Sequence, residues 1–426
     1  MPSGSFRRGL RVNGLIALLV LGVAALPAVA QERSERPFPG GADADLWVCA
    51  GQSNMAGGGM PVGRQRPEPG VMVYNMDGKW IPAVEPINRI FSATAPVIRD
   101  WLIKGWGQKG YDAQAAIDSK KPLGWIGPAR FFARHLVKHT GRRIGLVPCS
   151  LGATSMADWS PARLAEGDHS LYGNMIQRIR EVGGRVKGLI WYQGEGETSP
   201  GLQDPFDATW LRFVDSVRRD TGIADLPIIY VQIARYALDT DPNYGLAWER
   251  IRDKQRRLAA QRPNLYVVPA IDLPLDDLIH IGVAGHTRLG VRMAEVALGR
   301  VYGQQGRATA IDYASHEILP ALGPLYHRMR VRFSGVNGRL TAAGRASGFS
   351  LRSPEPGKDG PMVFKVEIDR ERPDSVILWY SKEIAKPVSL YYGAGLDPYA
   401  NIVDSRDMAV PAFGPIPVEP VKPAAR

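Results

Sequence analysis

The run Leu46-Trp47-Val48-Cys49-Ala50-Gly51-Gln52-Ser53-Asn54-Met55 decides the fold. Its first five residues are apolar without a break, as in a strand covered on both faces of a parallel sheet. Gly51 ends the run, Ser53 stands where a helix would begin, and Gly57-Gly58-Gly59 allow a tight turn just beyond. A serine at such a strand end presents its hydroxyl above the sheet, although the same short pattern also fits a capping or turn serine.

Outward from this stretch the pattern repeats. Apolar runs recur at Ile144–Pro148, Gly188–Tyr192, Pro227–Ile233 and Leu265–Pro269. Helical stretches are predicted between and after them, near Pro128–His139, Asn174–Val182, Phe206–Arg219, Leu246–Ala260 and Ala284–Leu298. Strand alternating with helix predicts a doubly wound α/β/α sandwich with a parallel sheet. In such sheets ligands bind beyond the carboxyl ends of the strands.

The catalytic domain is expected over 45–305, with an insertion at about 80–123 that breaks the alternation. Trp80, Trp101, Trp106 and Trp125 lie in or beside it, where they would either line a sugar cleft or form a small core of their own. From 306 to 412 the pattern becomes period-two, as in Met329–Phe333 and Met362–Ile368, with turns at Val336-Asn337-Gly338 and Asp359-Gly360. This predicts a small C-terminal all-β domain. Residues 413–426 read as a Pro-rich extended tail.

The first 30 residues read as an export signal. Arg7, Arg8 and Arg11 precede the apolar stretch Leu15–Leu26, and Ala28-Val29-Ala30 is a small-x-small cleavage site, so Gln31 would open the mature chain. Residues 31–44 read as a linker. A periplasmic or extracellular location is therefore expected, without stable membrane insertion. The net charge is +11, but no basic run is interleaved with aromatic residues, so nucleic acid is not an expected partner. Two cysteines, Cys49 and Cys149, do not make a disulfide framework, and both end apolar runs, which favours buried thiols.

Chemistry-bearing residues follow successive strands. Ser53 follows the first, and Cys149-Ser150-Leu151-Gly152-Ala153-Thr154 follows the second. Trp191-Tyr192-Gln193-Gly194-Glu195 closes the third, and Asp276-Asp277-Leu278-Ile279-His280 comes soon after the fifth. A serine hydroxyl needs a base to take its proton, a role suited to histidine, and a carboxylate fixes the imidazole tautomer. Asp277 and His280 are close enough in sequence for one turn to bring both to Ser53. Backbone N–H groups of Ser53 and Gly152, with the Gln193 amide, are the expected oxyanion donors. Gln52, Asn54, Thr154, Trp159 and Glu195 are expected to support the site or touch substrate.

The other candidates weigh less. His135 and His139 lie four apart on one predicted helix, but without the intervening Glu of a zinc protease, so packing or surface roles are expected. His286 lacks a carboxylate in the frame that serves His280. Glu195 and Glu197 are too close in sequence to argue for a glycosidase pair. No metal or other cofactor is expected.

These segments together resemble the SGNH (GDSL-like) hydrolases, and closely the sialate O-acetylesterase branch with its carbohydrate acetylesterase relatives. The resemblance rests on Gly51–Met55, Cys149–Thr154 with Trp159, Trp191–Glu195, and Asp277-x-x-His280, and extends to Gly323–Tyr326 and Tyr399–Asn401. Where the general pattern has Asn in the third block, this branch has Gln, as at Gln193. The resemblance implies an SGNH, flavodoxin-like fold and hydrolysis of acetyl esters on sugars, of the sialate 9-O-acetyl type or on acetylated polysaccharide, without a cofactor. The alternatives are an esterase or lipase for non-sugar esters, expected to show an apolar cleft, and a non-catalytic carbohydrate-binding protein.

Overall fold

A computed structural model describes residues 36–39, 44–60, 65–107, 112–119, 124–238, 242–323, 325–355 and 358–420. The stretch read as an export signal, with its expected cleavage site, lies outside the described residues. The chain runs β1 (Ala44–Gly51), α1 (Ser53–Ala56), β2 (Val71–Tyr74), β3 (Trp80–Pro82), α2 (Pro96–Gly107), α3 (Ala113–Asp118), α4 (Ala129–Thr140) and β4 (Arg143–Pro148). It continues through α5 (Leu171–Glu181), β5 (Gly188–Tyr192), α6 (Phe206–Thr221), β6 (Ile228–Gln232), α7 (Pro242–Leu258), β7 (Leu265–Pro269) and α8 (Val283–Arg300).

The sheet order is β3-β2-β4-β1-β5-β6-β7, parallel except for the antiparallel edge strand β3. The five expected apolar runs are all present as β1, β4, β5, β6 and β7. β1 and β5 are buried along almost their whole length because helices cover both faces. α4 turns Ala129, Phe132, Ala133 and Leu136 inward, the spacing of one helix face. Trp47, Trp191, Trp210 and Tyr230 are wholly enclosed, and each such side chain removed from water contributes on the order of 2–3 kcal/mol.

Two expectations need correction. The sheet extends past the five runs through β2 and β3, so Trp80, assigned to the insertion, belongs to the sheet edge. There its ring packs edge-on against Phe38 at 5.0 Å and lies 5.3 Å from Tyr74. Phe38, in the stretch read as a linker, is itself buried. For Trp80 the reason is that a three-residue edge strand with Pro82 carries too little periodicity to be read alone.

The β region comprises β8 (Asp312–Leu319), β9 (His327–Ser334), β10 (Leu340–Ala342), β11 (Phe349–Arg352), β12 (Val363–Ile368), β13 (Ser375–Tyr380), β14 (Val388–Tyr392), β15 (Ile402–Asp404) and β16 (Phe413–Val418). These form sheets ordered β12-β13-β9-β8, β11-β14-β16 and β10-β15. The start of the Pro-rich end is thus the strand β16, paired with β14. The β region is bolted onto the α/β sheet by buried polar contacts. Gln232 exchanges two hydrogen bonds of 2.8 Å with the Ala412 backbone. Arg252, fully enclosed, donates to Gly395 O at 2.6 Å, Leu396 O at 3.1 Å and Ala234 O at 2.8 Å. A buried guanidinium is stable only when its donors are used in this way.

Candidate active site

Strand order places the site. β1 is central, with β4 on one side and β5 on the other, so the chain crosses over β1 between β4 and β5. That is the switch point at which a crevice opens beyond the carboxyl ends of the strands. Cys49 is level with Pro148, and Gly51 with Tyr192. The segments following β1, β4 and β5 therefore emerge at one height.

Gly51 has φ +126°, and a Cβ there would run into Tyr192 O, so the turn that delivers Ser53 requires glycine. Ser53 opens the short helix α1, whose first N–H groups have no intrahelical acceptor. A loop after β7, here called the catalytic loop for the role expected of it, brings the remaining two candidates. It is closed at its base by Gly282 N donating to Pro274 O at 3.0 Å and by a Leu275–Ile281 bridge. Its tip carries Asp277 and His280.

His280 Nε2 lies 2.9 Å from Ser53 Oγ, and His280 Nδ1 lies 2.7 Å from Asp277 Oδ2. The other carboxylate oxygen of Asp277 accepts from the N–H of Ile279 at 2.8 Å and of His280 at 2.6 Å. Partial burial works to raise the Asp277 carboxyl, but the His280 ring and these two N–H groups outweigh it and hold it below the usual carboxylate range. The carboxylate therefore stays charged and fixes Nδ1 as the protonated nitrogen, leaving Nε2 to accept the serine proton. The imidazole is 28% exposed, so the site is open to substrate. A Cβ on Gly58 would collide with the His280 Cβ, so the ring rests directly on this glycine. Its need for the smallest residue is not legible in a Gly-Gly-Gly run.

The neighbouring candidates fall into place around this line. Gly152 faces the nucleophile: a Cβ on it would sit 3.5 Å from Ser53 Cβ and 3.9 Å from the Trp101 ring. Trp101, on α2 of the expected insertion, thus reaches the wall of the site. Nothing is described of the Trp106 side chain, and Trp125 lies at the surface with its backbone against Gly57.

Asn54 is buried, and it braces the loop: its Nδ2 donates to Glu195 Oε1 at 2.9 Å and Ile279 O at 3.3 Å, and its Oδ1 accepts from Ile281 N at 3.0 Å. Burial pushes the Glu195 carboxyl up. Asp276 accepts from Met60 N at 3.2 Å, which ties the loop to the segment after α1. Gln52 is buried, with its backbone N–H bonded to Tyr192 O at 2.8 Å.

One expectation changes, and two others narrow to one of their alternatives. Gln193 follows β5 as expected, but its Nε2 donates to Thr154 O at 3.2 Å and to Glu197. Both amide hydrogens are spent, so the geometry makes it a brace and not an oxyanion donor. Trp159 is fully buried, edge-on to Trp191 at 5.1 Å, with its Nε1 donating to Thr154 Oγ1 at 3.1 Å. Thr154 in turn donates to Leu151 O at 3.0 Å. Both residues stiffen the loop that carries Gly152, the supporting one of the two roles expected for them.

Other titratable groups are set apart. His286 is enclosed, and burial pushes it down to about 3, so it stays neutral inside α8. Cys49 and Cys149 are free and buried, and burial raises both thiols, Cys149 to about 11. Such thiols are poor nucleophiles. His135, His139 and Glu295 bring ligand atoms within 4.8 Å of one another. The Glu295 carboxylate, however, is already shared by His135 at 2.7 Å, Arg307 at 3.0 Å and Ala308 N at 3.2 Å. Among the described residues, no helix is long and apolar enough to cross a membrane.

Residues 43–299 match the family model described as carbohydrate esterase, sialic acid-specific acetylesterase. The chain belongs to this family. The matched span contains Ser53, Gly152, Asp277 and His280 together, and family membership makes the protein a carboxylic ester hydrolase. It is 28% identical over 271 residues to a probable carbohydrate esterase of Arabidopsis thaliana, At4g34215, covering 59% of this chain and 90% of that protein. Its fold is similar to the crystal structure of XAC1771, a carbohydrate acetylesterase from Xanthomonas citri. The TM-score is 0.59 at 19% identity, over 87% of this chain and 80% of that one. This last likeness includes the C-terminal β region and speaks to fold alone.

Proposed function

We propose that the protein is an exported serine O-acetylesterase that removes acetyl groups from carbohydrate by two-step acyl transfer. The observation that carries this reading is the continuous line Ser53 Oγ–His280 Nε2 at 2.9 Å and His280 Nδ1–Asp277 at 2.7 Å, within a carbohydrate esterase family. His280 takes the Ser53 proton as Oγ attacks the acetyl carbonyl. The oxyanion is met by the backbone N–H groups of Ser53 and Gly152. His280 then gives its proton to the departing sugar oxygen, and Ser53 is left acetylated. Water enters, His280 takes its proton, and acetate leaves as Ser53 Oγ recovers a proton from His280.

Export is supported by the leader-like run with Arg7, Arg8, Arg11 and Ala28-Val29-Ala30. The test is acetate release from a panel of acetylated sialosides, xylan and pectin. Release from at least one of these is expected. Release from none, with hydrolysis of lipid esters, would refute the sugar assignment.

A further inference from the structure

A cavity of about 440 Å³ lies where the α/β sheet meets the β region, walled by Arg235, Pro274, Asp397, Pro398 and Tyr399. Part of its lining belongs to the loop that carries Asp277 and His280: Pro274 closes that loop at its base, three residues before Asp277. By chain length alone Pro274 and Asp277 are at most about 11 Å apart. The opposite wall is anchored to the same loop. Ala237 N donates to Leu278 O at 2.7 Å, and Tyr236 N donates to Leu396 O at 2.9 Å. The segment 235–237 thus bridges the tip of the catalytic loop to the 393–401 turn of the β region.

The lining has the chemistry of a sugar site. Tyr399 is 67% exposed, so much of its ring is open to the cavity and to solvent. Beside it, Arg235 and Asp397 pair at 2.6 Å while each stays partly open to solvent. An open aromatic face with a fixed guanidinium and carboxylate next to it matches a pyranose, which offers an apolar C–H face ringed by hydroxyls. A lipid acyl chain would find charged walls here.

We infer that this cavity is an accessory subsite for a second stretch of an acetylated oligosaccharide, so that polymeric substrates are bound from Ser53 to Tyr399. The inference rests on the proposed carbohydrate esterase activity and extends it from the acetylated sugar to its neighbours along the chain. It also gives the β region a part in substrate binding, since Asp397, Pro398 and Tyr399 come from there.

The experiment compares kcat/KM for O-acetylated oligosaccharides of increasing length with kcat/KM for p-nitrophenyl acetate, which is too small to reach the cavity. In the wild type, the ratio is expected to rise with chain length. In Tyr399→Ala the ratio for the longest substrate is expected to fall about tenfold through KM, the usual scale for truncating a binding aromatic. Tyr399→Phe, which keeps the ring, is expected to retain the ratio. A ratio independent of length, or one that Tyr399→Ala leaves intact, overturns the subsite while leaving the esterase assignment standing. Hydrolysis of p-nitrophenyl acetate with no acetate released from any carbohydrate overturns both.

Discussion

Asn54 and Glu195 are joined at 2.9 Å, a bond that fixes the Asn54 side chain to the buried segment just after β5. The same Asn54 amide reaches Ile279 O and Ile281 N, the residues on either side of His280. His280 is thus positioned from behind by a side chain adjacent to the nucleophile. Asn54→Ala is expected to lower kcat by about tenfold to a hundredfold with little change in KM, because a small displacement of the base is costly. A raised KM at unchanged kcat would instead place Asn54 against substrate.

Gln193 gives a second prediction. Its amide is spent on Thr154 O and Glu197, and the residue is wholly buried. Removing it leaves two buried acceptors unpaired, at about 1–3 kcal/mol for each. Gln193→Ala is therefore expected to lower the melting temperature distinctly and kcat by less than tenfold. A loss of about 10²–10³ in kcat at an unchanged melting temperature would mean that the amide turns to the oxyanion during reaction.

The Glu197 carboxyl is raised from 4.5 to about 7, chiefly by burial. Between those values the unfolded chain has released the proton and the folded chain retains it. This group's contribution to stability is thus fully present below about 4.5, is lost as pH rises through 7, and is level beyond. The loss has an upper bound on the order of 3 kcal/mol. Differential scanning calorimetry of Glu197→Gln against the wild type should show the melting temperatures diverging between pH 5 and pH 7.5, with the wild type falling more steeply. Parallel curves would show that Glu197 is ionised throughout.

The sequence made some of this plain and hid the rest, for identifiable reasons. β1, β4 and β5 were legible because parallel strands covered on both faces are apolar without interruption. Ser53, Asp277 and His280 could be singled out because few residue types suit that chemistry, with Ser53 just after β1 and the other two in the loop after β7. Direction was not legible. Nothing in the string of letters says that the Trp159 indole turns into the core toward Trp191, or that the Gln193 amide turns toward Glu197 and away from Ser53. Each is fixed by packing between segments distant in sequence. The close seat of His280 on Gly58 was hidden likewise, because a missing side chain leaves no signal when three glycines stand in a row.

The central claim is that Ser53 carries the acetyl group between sugar and water. Rapid-quench peptide mass spectrometry during turnover of an acetylated carbohydrate tests it most directly. The peptide containing Ser53 is expected to gain the mass of one acetyl group, and Ser53→Ala, still folded, is expected neither to gain it nor to release acetate. Acetate released at the wild-type rate by folded Ser53→Ala would contradict it.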